Sequence, residues 1–129
     1  HEGAAYPLAG DYSLPVILSV AGTEIVYIEL YRAARDEIAR IYPAHAHDVG
    51  FHSATADTAH LGRVVMSELI RLRPSAVFAA DSVCRRVLGD PEVGNPPIHK
   101  VFTRLGWTSI GEFDIRPDRR IVLYGFDRA

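Results

Sequence analysis

The chain has 129 residues, of which 48% are hydrophobic and 23% are charged, and its formal net charge is −2. This length and composition predict one globular domain over residues 1–129, with a single core. The mixture of acids and bases argues against a nucleic-acid-binding protein with a broad basic face, and the single cysteine rules out an internal disulfide.

The first predicted elements are a β-hairpin and a short helix. Residues 15–20 and 24–31 are rich in Ile, Val and Leu or Tyr, and a turn at Gly22 separates them. Residues 32–41 change to helical spacing, and Pro43 stops that pattern. These segments predict two strands followed by one helix.

The middle of the chain alternates between strand and helix patterns. Residues 49–56 predict a third strand, and residues 63–80 predict a helix that Pro74 should kink or divide. Residues 85–88 then predict a buried strand.

The last third predicts a helix and a closing hairpin. Asn95 precedes two prolines and suits the N-cap of a helix, while Gly106 suits the C′ position at its end. Residues 107–115 and 119–126 then predict two paired strands. The order β-β-α-β-α-β-α-β-β predicts an α/β (α+β) fold, in which a mixed sheet carries helices on its faces.

The sequence also suggests where the protein resides. No apolar run approaches the roughly 18–20 residues that cross a bilayer, and no signal peptide is visible. We therefore expect a cytoplasmic protein without a membrane partner. The chain begins at His1 rather than at a methionine, so we expect that it has been trimmed at this end.

His52 is the first candidate functional residue. Alternation along its strand places Val49 and Phe51 on one face, and Gly50 and His52 on the other. A neutral histidine can take a proton near pH 7, which makes His52 a candidate general base. A hydrogen-bonded structural histidine explains the same position, and the local pattern leaves both interpretations open.

Asp90 is the second candidate. It follows the strand at residues 85–88 and precedes Pro91. Ligands of open α/β sheets bind at the carboxyl ends of strands, but Asp-Pro is also a common turn pair. His52 and Asp90 therefore form a candidate proton-transfer pair, and a purely turn-forming Asp90 remains the alternative.

The six histidines invite a metal interpretation. His45, His47 and His52 are close in sequence and His60 is nearby, yet neither an HExxH motif nor paired cysteines accompany them. We predict no metal site. Cys84 lies in an apolar run and is interpreted as a core residue rather than a nucleophile.

Several dispersed segments resemble one family in the correct order. The chain is similar from Pro15 to Phe126 to the siderophore-biosynthesis N-acyltransferases, which include the mycobactin lysine N-acyltransferase and the aerobactin and alcaligin acetyltransferases. These enzymes belong to the GCN5-related N-acetyltransferase (GNAT) superfamily. The segments that carry the resemblance are Tyr27-Ile28-Glu29-Leu30-Tyr31, Asp36, Asp48-Val49-Gly50-Phe51-His52, Cys84-Arg85-Arg86-Val87, Asp90-Pro91-Glu92, Asn95, Gly106-Trp107, Gly111-Glu112 and Leu123-Tyr124.

The resemblance implies a fold and an activity. It implies a mixed, mostly antiparallel central sheet with helices on both faces, in which the N-terminal part of the superfamily fold is truncated. It implies transfer of an acyl group from acetyl-CoA or a longer acyl-CoA to the side-chain amine or hydroxylamine of a lysine- or ornithine-like substrate. No metal and no nucleic acid take part in such a reaction.

The resemblance also implies roles for single residues. His52 is the base beside the acceptor nitrogen, and Asp90 is its acidic partner, with Glu92 as the alternative acid. Asn95 lies near the pantetheine arm.

The pyrophosphate loop is where this chain departs from the family pattern. The family has a basic residue followed by glycines, roughly Arg-Gly-x-Gly, whereas this chain has Gly62-Arg63-Val64-Val65-Met66-Ser67. The resemblance implies that Arg63 and the N–H groups of Val64, Val65, Met66 and Ser67 hold the pyrophosphate. Because Val64 and Met66 replace glycines that allow close approach, a domain that binds a ligand or protein partner without acyl transfer is the alternative. Another acyl-CoA reaction, such as decarboxylation of malonyl-CoA, is a third possibility.

Overall fold

Six strands form one mixed sheet in the computed structural model, which describes residues 14–20, 22–35, 37–55 and 60–129. The strands lie in the order β1-β2-β3-β4-β6-β5, and every neighbouring pair is antiparallel except β3 and β4, which are parallel. Their bounds are Leu14–Val20 for β1, Thr23–Arg32 for β2, Val49–Thr55 for β3, Arg86–Gly89 for β4, Thr108–Arg116 for β5 and Arg119–Asp127 for β6. Both predicted hairpins and the mostly antiparallel sheet are confirmed.

Two α-helices follow β3 and β4. Helix α1 spans His60–Ala80 and helix α2 spans Pro96–Arg104. Pro74 lies inside α1 and is buried, but it does not divide the helix, so that part of the prediction is wrong. No described helix combines the length and the apolar composition that a membrane span requires.

The prediction of one regular helix over residues 32–41 is also wrong. Strand β2 continues to Arg32, and two short 3-10 helices, Ala33–Arg35 and Glu37–Arg40, follow it. The backbone N–H of Ala33 donates to the carbonyl of Asp48 (3.0 Å), which ties the chain back to the start of β3. The two 3-10 helices are three and four residues long, a length at which 3-10 structure is common.

Helix α2 ends as predicted. Gly106 has φ 87°, a left-handed conformation that glycine adopts without a Cβ penalty. The N–H of Gly106 donates to the carbonyl of Thr103 (3.2 Å), and the N–H of Trp107 donates to that of Phe102 (3.1 Å). This Schellman arrangement turns the chain into β5.

The core has two parts, one on each face of the sheet. The α-helices cover one face and the 3-10 helices approach the other, so helices lie on both faces as predicted. The first part includes Val49, Phe51, Met66, Ile70, Val87, Phe102 and Trp107. The second includes Tyr31, Ala33, Ile38, Tyr42, Leu88, Ile121 and Leu123.

The two parallel strands separate after a short contact. β3 and β4 pair at Val49 with Val87, Gly50 with Leu88, and Phe51 with Gly89. β3 then continues to Thr55 along β2, whereas β4 ends. The carboxyl ends of the two strands therefore splay apart in the middle of the sheet.

An arginine is buried in the first part of the core. The Arg73 residue is 7% exposed, and its guanidinium carbon lies 3.3 Å from the centroid of the Phe51 ring. Neither Nη1 nor Nη2 meets a hydrogen-bond partner within the described part of the chain. Burial lowers the pKa of Arg73 to about 9. The stacking on Phe51 thus offsets only part of the cost of burying this charge.

We expect Arg73→Met to be more stable than the wild type by about 1–3 kcal/mol at pH 7, because it removes a buried, uncompensated charge and retains an apolar stem. The folded wild type loses its Arg73 proton at lower pH than the unfolded chain, so its stability gains from this group as pH rises above about 9. The advantage of the variant should therefore shrink between pH 7 and pH 10. Urea unfolding at both pH values measures this difference.

Arg71→Met is the matched control, since Arg71 is exposed on the same helix and pairs with Glu68 (2.6 Å). Exposed pairs contribute little, so the control should change stability by less than about 1 kcal/mol. A less stable Arg73→Met variant would show that the guanidinium is well compensated and would contradict the prediction.

Candidate active site

The structure brings His52 and Asp90 into direct contact. Nδ1 of His52 lies 3.2 Å from Oδ1 of Asp90, and the two side chains are 30% and 4% exposed. An ionised carboxylate can only accept hydrogen bonds, so the proton of a neutral imidazole lies on Nδ1 and the lone pair on Nε2. In this tautomer Nε2 is the atom that can accept a proton, as a general base must.

The splayed strands position this pair. His52 lies opposite Glu29 of β2, one residue beyond the last β3–β4 pair. Asp90 is the first residue after β4, and the chain beyond it follows β6, where the N–H of Val122 donates to the carbonyl of Pro91 (3.0 Å). The tight turn predicted at Asp90 instead comes at residues 93–94. Asp90 is therefore held at the strand end rather than in a turn.

Tyr31 stacks on the imidazole, a contact that the sequence analysis did not predict. The two ring centroids are 4.4 Å apart and the ring planes differ by 18°. Tyr31 pairs with Gly50 across β2 and β3, and a Cβ on Gly50 would lie 2.6 Å from Cε2 of the tyrosine ring. Only a residue without a side chain at position 50 leaves room for the ring beside His52. The available signal was Gly50 itself, two residues before His52 on the same strand face.

Arg119 is a second residue that the sequence analysis missed. Its Nη1 lies 3.5 Å from Oδ2 of Asp90, and its Nη2 donates to the carbonyl of Asp90 (3.4 Å). Nε lies 3.7 Å from Oε1 of Glu92, whose side chain is 68% exposed. Asp90 thus contacts both His52 and Arg119, whereas Glu92, the alternative acid, contacts Arg119.

A cavity of about 570 Å³ opens at the splayed strand ends. It is bounded by β3, the start of α1, the segment after β4, and α2. Its polar lining comes from His52, Ser53, Ser67, Asp90, Glu92, Asn95 and Arg119, and its apolar lining includes Phe51, Met66, Ile70, Ile98, Val101 and Phe102. A cavity with an apolar wall and a few converging polar groups is typical of a small-molecule site.

The stretch predicted as the pyrophosphate loop is not a loop. Residues 62–67 lie within the first two turns of α1, which begins at His60. The N–H groups of Val64 to Ser67 are therefore directed to carbonyls one turn earlier in the helix. Met66 and Ser67 line the cavity, whereas Val64 is 44% exposed. The side chain of Arg63 lies outside the part of the chain that the structure describes.

Asn95 occupies the N-cap position of α2 but does not cap it with its side chain. The residue is exposed and lines the cavity, and its backbone N–H donates to the carbonyl of Glu92 (3.3 Å). The predicted position of Asn95 at the helix start is confirmed, although its side chain makes no capping hydrogen bond. The Asn95 amide remains available on the cavity side.

Metal and thiol chemistry receive no support from the described residues. Among them, no group of three or more His, Cys, Asp or Glu side chains converges in a way that could hold a metal ion. Cys84 is fully buried, and its Sγ donates to the carbonyl of Arg86 (3.3 Å). Burial raises the pKa of the Cys84 thiol, which confirms its interpretation as a core residue.

Two relatives named lysine N-acyltransferase match most of the chain. A lysine N-acyltransferase MbtK from Mycobacterium sp. (strain MCS) is 41% identical over 120 residues, 93% of this chain and 49% of that protein. The MbtK of Mycolicibacterium paratuberculosis (strain ATCC BAA-968 / K-10) is 39% identical over 127 residues, 98% of this chain and 56% of that protein. The chain therefore spans about half the length of these relatives.

A more distant relative acts on a different named amine. An N-hydroxyputrescine acetyltransferase from Acinetobacter baumannii is 28% identical over 85 residues, 66% of this chain and 40% of that protein.

Solved structures show the same fold. An uncharacterised protein from Bacillus halodurans matches with a TM-score of 0.78 and 23% identity, over 93% of this chain and 61% of that one. The aminoglycoside acetyltransferase AAC(6')-Ib, crystallised with coenzyme A and kanamycin, matches with a TM-score of 0.74 and 21% identity, over 94% of this chain and 70% of that one. The family described as the acetyltransferase (GNAT) domain matches residues 2–115. The chain belongs to this GNAT acetyltransferase family.

Proposed function

We propose that the protein transfers an acyl group from an acyl-CoA to the side-chain amine or hydroxylamine of a lysine- or ornithine-like substrate, in the biosynthesis of a siderophore or a related metabolite. The observation that carries this proposal is the contact between His52 and Asp90 inside a cavity at the splayed ends of β3 and β4. The names of the relatives, lysine N-acyltransferase and N-hydroxyputrescine acetyltransferase, support an amine acceptor.

His52 serves as the general base in this proposal. An alkylammonium acceptor must lose a proton before its nitrogen can attack a thioester. Nε2 of His52 accepts that proton, and the hydrogen bond from Nδ1 to Asp90 holds the ring in the required tautomer. The carboxylate also stabilises the imidazolium that forms.

In this proposal the acyl donor enters along the same cavity. The N–H groups of the first turn of a helix have no partner inside that helix. These donors and the positive end of the helix dipole suit a pyrophosphate. Met66, Ser67 and Asn95 line the path toward His52, and the donor supplies an activated thioester there.

The test is a transfer assay. We expect purified protein mixed with acetyl-CoA or a longer acyl-CoA, together with lysine, N6-hydroxylysine or N-hydroxyputrescine, to release free thiol. Release should require both the donor and one acceptor, and mass spectrometry should find the acylated amine. Absence of transfer with every pair, in protein that binds CoA by calorimetry, would refute the proposal.

A non-catalytic ligand-binding domain is the second candidate, and Val64 and Met66 in place of glycines motivate it. Both residues lie within α1, and Met66 lines the cavity. CoA binding without any transfer would favour this candidate, and so would the failure of CoA to bind at all. The cytoplasmic location also stays a prediction.

A further inference from the structure

Arg119 and the imidazole of His52 contact different oxygens of the Asp90 carboxylate. Oδ1 of Asp90 contacts Nδ1 of His52 (3.2 Å), and Oδ2 lies 3.5 Å from Nη1 of Arg119. The Arg119 side chain is 23% exposed and lines the cavity, and its guanidinium contacts the Asp90 carboxylate. Imidazole, carboxylate and guanidinium therefore follow one another in a row.

The Asp90 carboxylate is almost fully buried, so its charge needs compensation. Its side chain is 4% exposed, and a buried carboxylate is costly unless it is paired and hydrogen-bonded. His52 supplies a full positive charge only after it has taken up a proton. Among the described residues that contact Asp90, Arg119 provides the permanent positive charge.

Arg119 also holds the backbone at this point. Its Nη2 donates to the carbonyl of Asp90 (3.4 Å), so a single guanidinium contacts both the side chain and the main chain of that residue. Arg119 is the first residue of β6, directly after the turn at residues 117–118 that closes the last hairpin. The hairpin of β5 and β6 thus places the Arg119 guanidinium beside the residue that follows β4.

We infer that Arg119 is a positioning residue for the proposed acyl transfer: it orients Asp90 toward His52 and balances the carboxylate charge, so that His52 is neutral when the acceptor amine arrives. This inference rests on the proposed function of the His52–Asp90 pair. Without the guanidinium, the full negative charge of Asp90 would act on His52 and favour the protonated ring. A protonated imidazole cannot accept the proton of the acceptor.

Two further acidic residues in the described part of the chain lie on this side of the sheet. Glu29 of β2 lies opposite His52 in the strand pairing, and Glu92 lines the same cavity. Tyr31, a titratable neighbour among the described residues, stacks on the ring. With these carboxylates present, the charge of Arg119 reduces the negative potential at His52.

The test compares Arg119→Gln with the adjacent Arg120→Gln. Arg120 is exposed and pairs with Glu112 (3.3 Å) and Asp114 (3.1 Å), away from the cavity, so its variant should behave as wild type. For Arg119→Gln we expect kcat to fall about 10–100-fold at neutral pH, with nearly unchanged KM for both substrates. The acid limb of the pH–rate profile should move upward by about 1 pH unit, and Arg119→Lys should restore part of both losses.

A second readout does not depend on catalysis. NMR titration of the His52 ring, assigned by its absence in His52→Gln, should show a higher pKa in Arg119→Gln than in the wild type. An unchanged His52 titration and an unchanged pH profile would overturn the inference. A loss confined to the KM of the acceptor would also overturn it, because that result identifies Arg119 as a substrate-binding residue. If no variant, the wild type included, transfers an acyl group, the proposed function fails while the titration still decides the role of Arg119.

Discussion

Replacing His52 with glutamine should lower kcat/KM for acyl transfer by about 10²–10⁴-fold, the usual contribution of a positioned general base. Glutamine retains an N–H that can donate to Asp90, but its amide cannot take a proton from the acceptor. The loss should appear mainly in kcat, because the imidazole acts on the reacting nitrogen rather than on the binding of the acyl donor. Initial rates of thiol release, measured over a range of pH, provide the comparison.

His47→Gln is the matched control for this experiment. His47 is exposed, and its side chain lies outside the cavity, so the variant should keep the wild-type rate. Calorimetry with CoA should show that His52→Gln still binds the donor. A His52→Gln enzyme that keeps more than about a tenth of the wild-type rate would contradict the role of His52 as general base.

Gly50→Ala should damage both folding and activity. The added methyl group would overlap the ring of Tyr31, and Tyr31 can move away only by losing its stacking on His52. Gly50 itself is buried, so the backbone has little room to shift. We expect a loss of about 1–3 kcal/mol in the free energy of unfolding, as for other overpacked sites, and a lower kcat from the displaced imidazole.

A double-mutant cycle tests whether the clash with Tyr31 is the cause. Leucine at position 31 lacks the outer ring atoms that the methyl group added by Gly50→Ala would meet. The combined Gly50→Ala and Tyr31→Leu variant should therefore lose less stability than the sum of the single changes. Gly94→Ala is the control for stability, because a methyl group there meets no atom within 4 Å. If the stability losses of the two single variants are additive, the effect of Gly50→Ala comes from the backbone of β3 and not from a clash with the ring of Tyr31.

Local sequence patterns predicted much of the fold. Apolar runs separated by Gly22 and by residues 117–118 identified the two hairpins, and Gly106 identified the end of α2. The 3-10 helices were missed because apolar residues at helical spacing over the ten residues 32–41 do not distinguish an α-helix from two short 3-10 helices. The burial of Arg73 could not be predicted either, since arginine at a helix face is normally exposed.

Only part of the candidate site could be predicted from the sequence. His52 lies in a strand and Asp90 directly follows one, positions that the sequence pattern makes visible, and the family resemblance joined them. Tyr31 reaches His52 through the register of β2 against β3, and Arg119 reaches Asp90 through the arrival of β6 beside β4. Register and strand order depend on contacts between distant segments, and a single sequence does not display them.

The short ladder between β3 and β4 divides the sheet into two halves. It joins the half-sheet β1-β2-β3 to the half-sheet β4-β6-β5 through three residue pairs, whereas seven pairs join β1 to β2 and seven join β2 to β3. His52 belongs to one half, and Asp90 and Arg119 to the other, so the geometry of the site depends on how the halves meet. Residues of both halves line the cavity, so a ligand that binds there would contact both and would stabilise the arrangement of the two halves to which it binds.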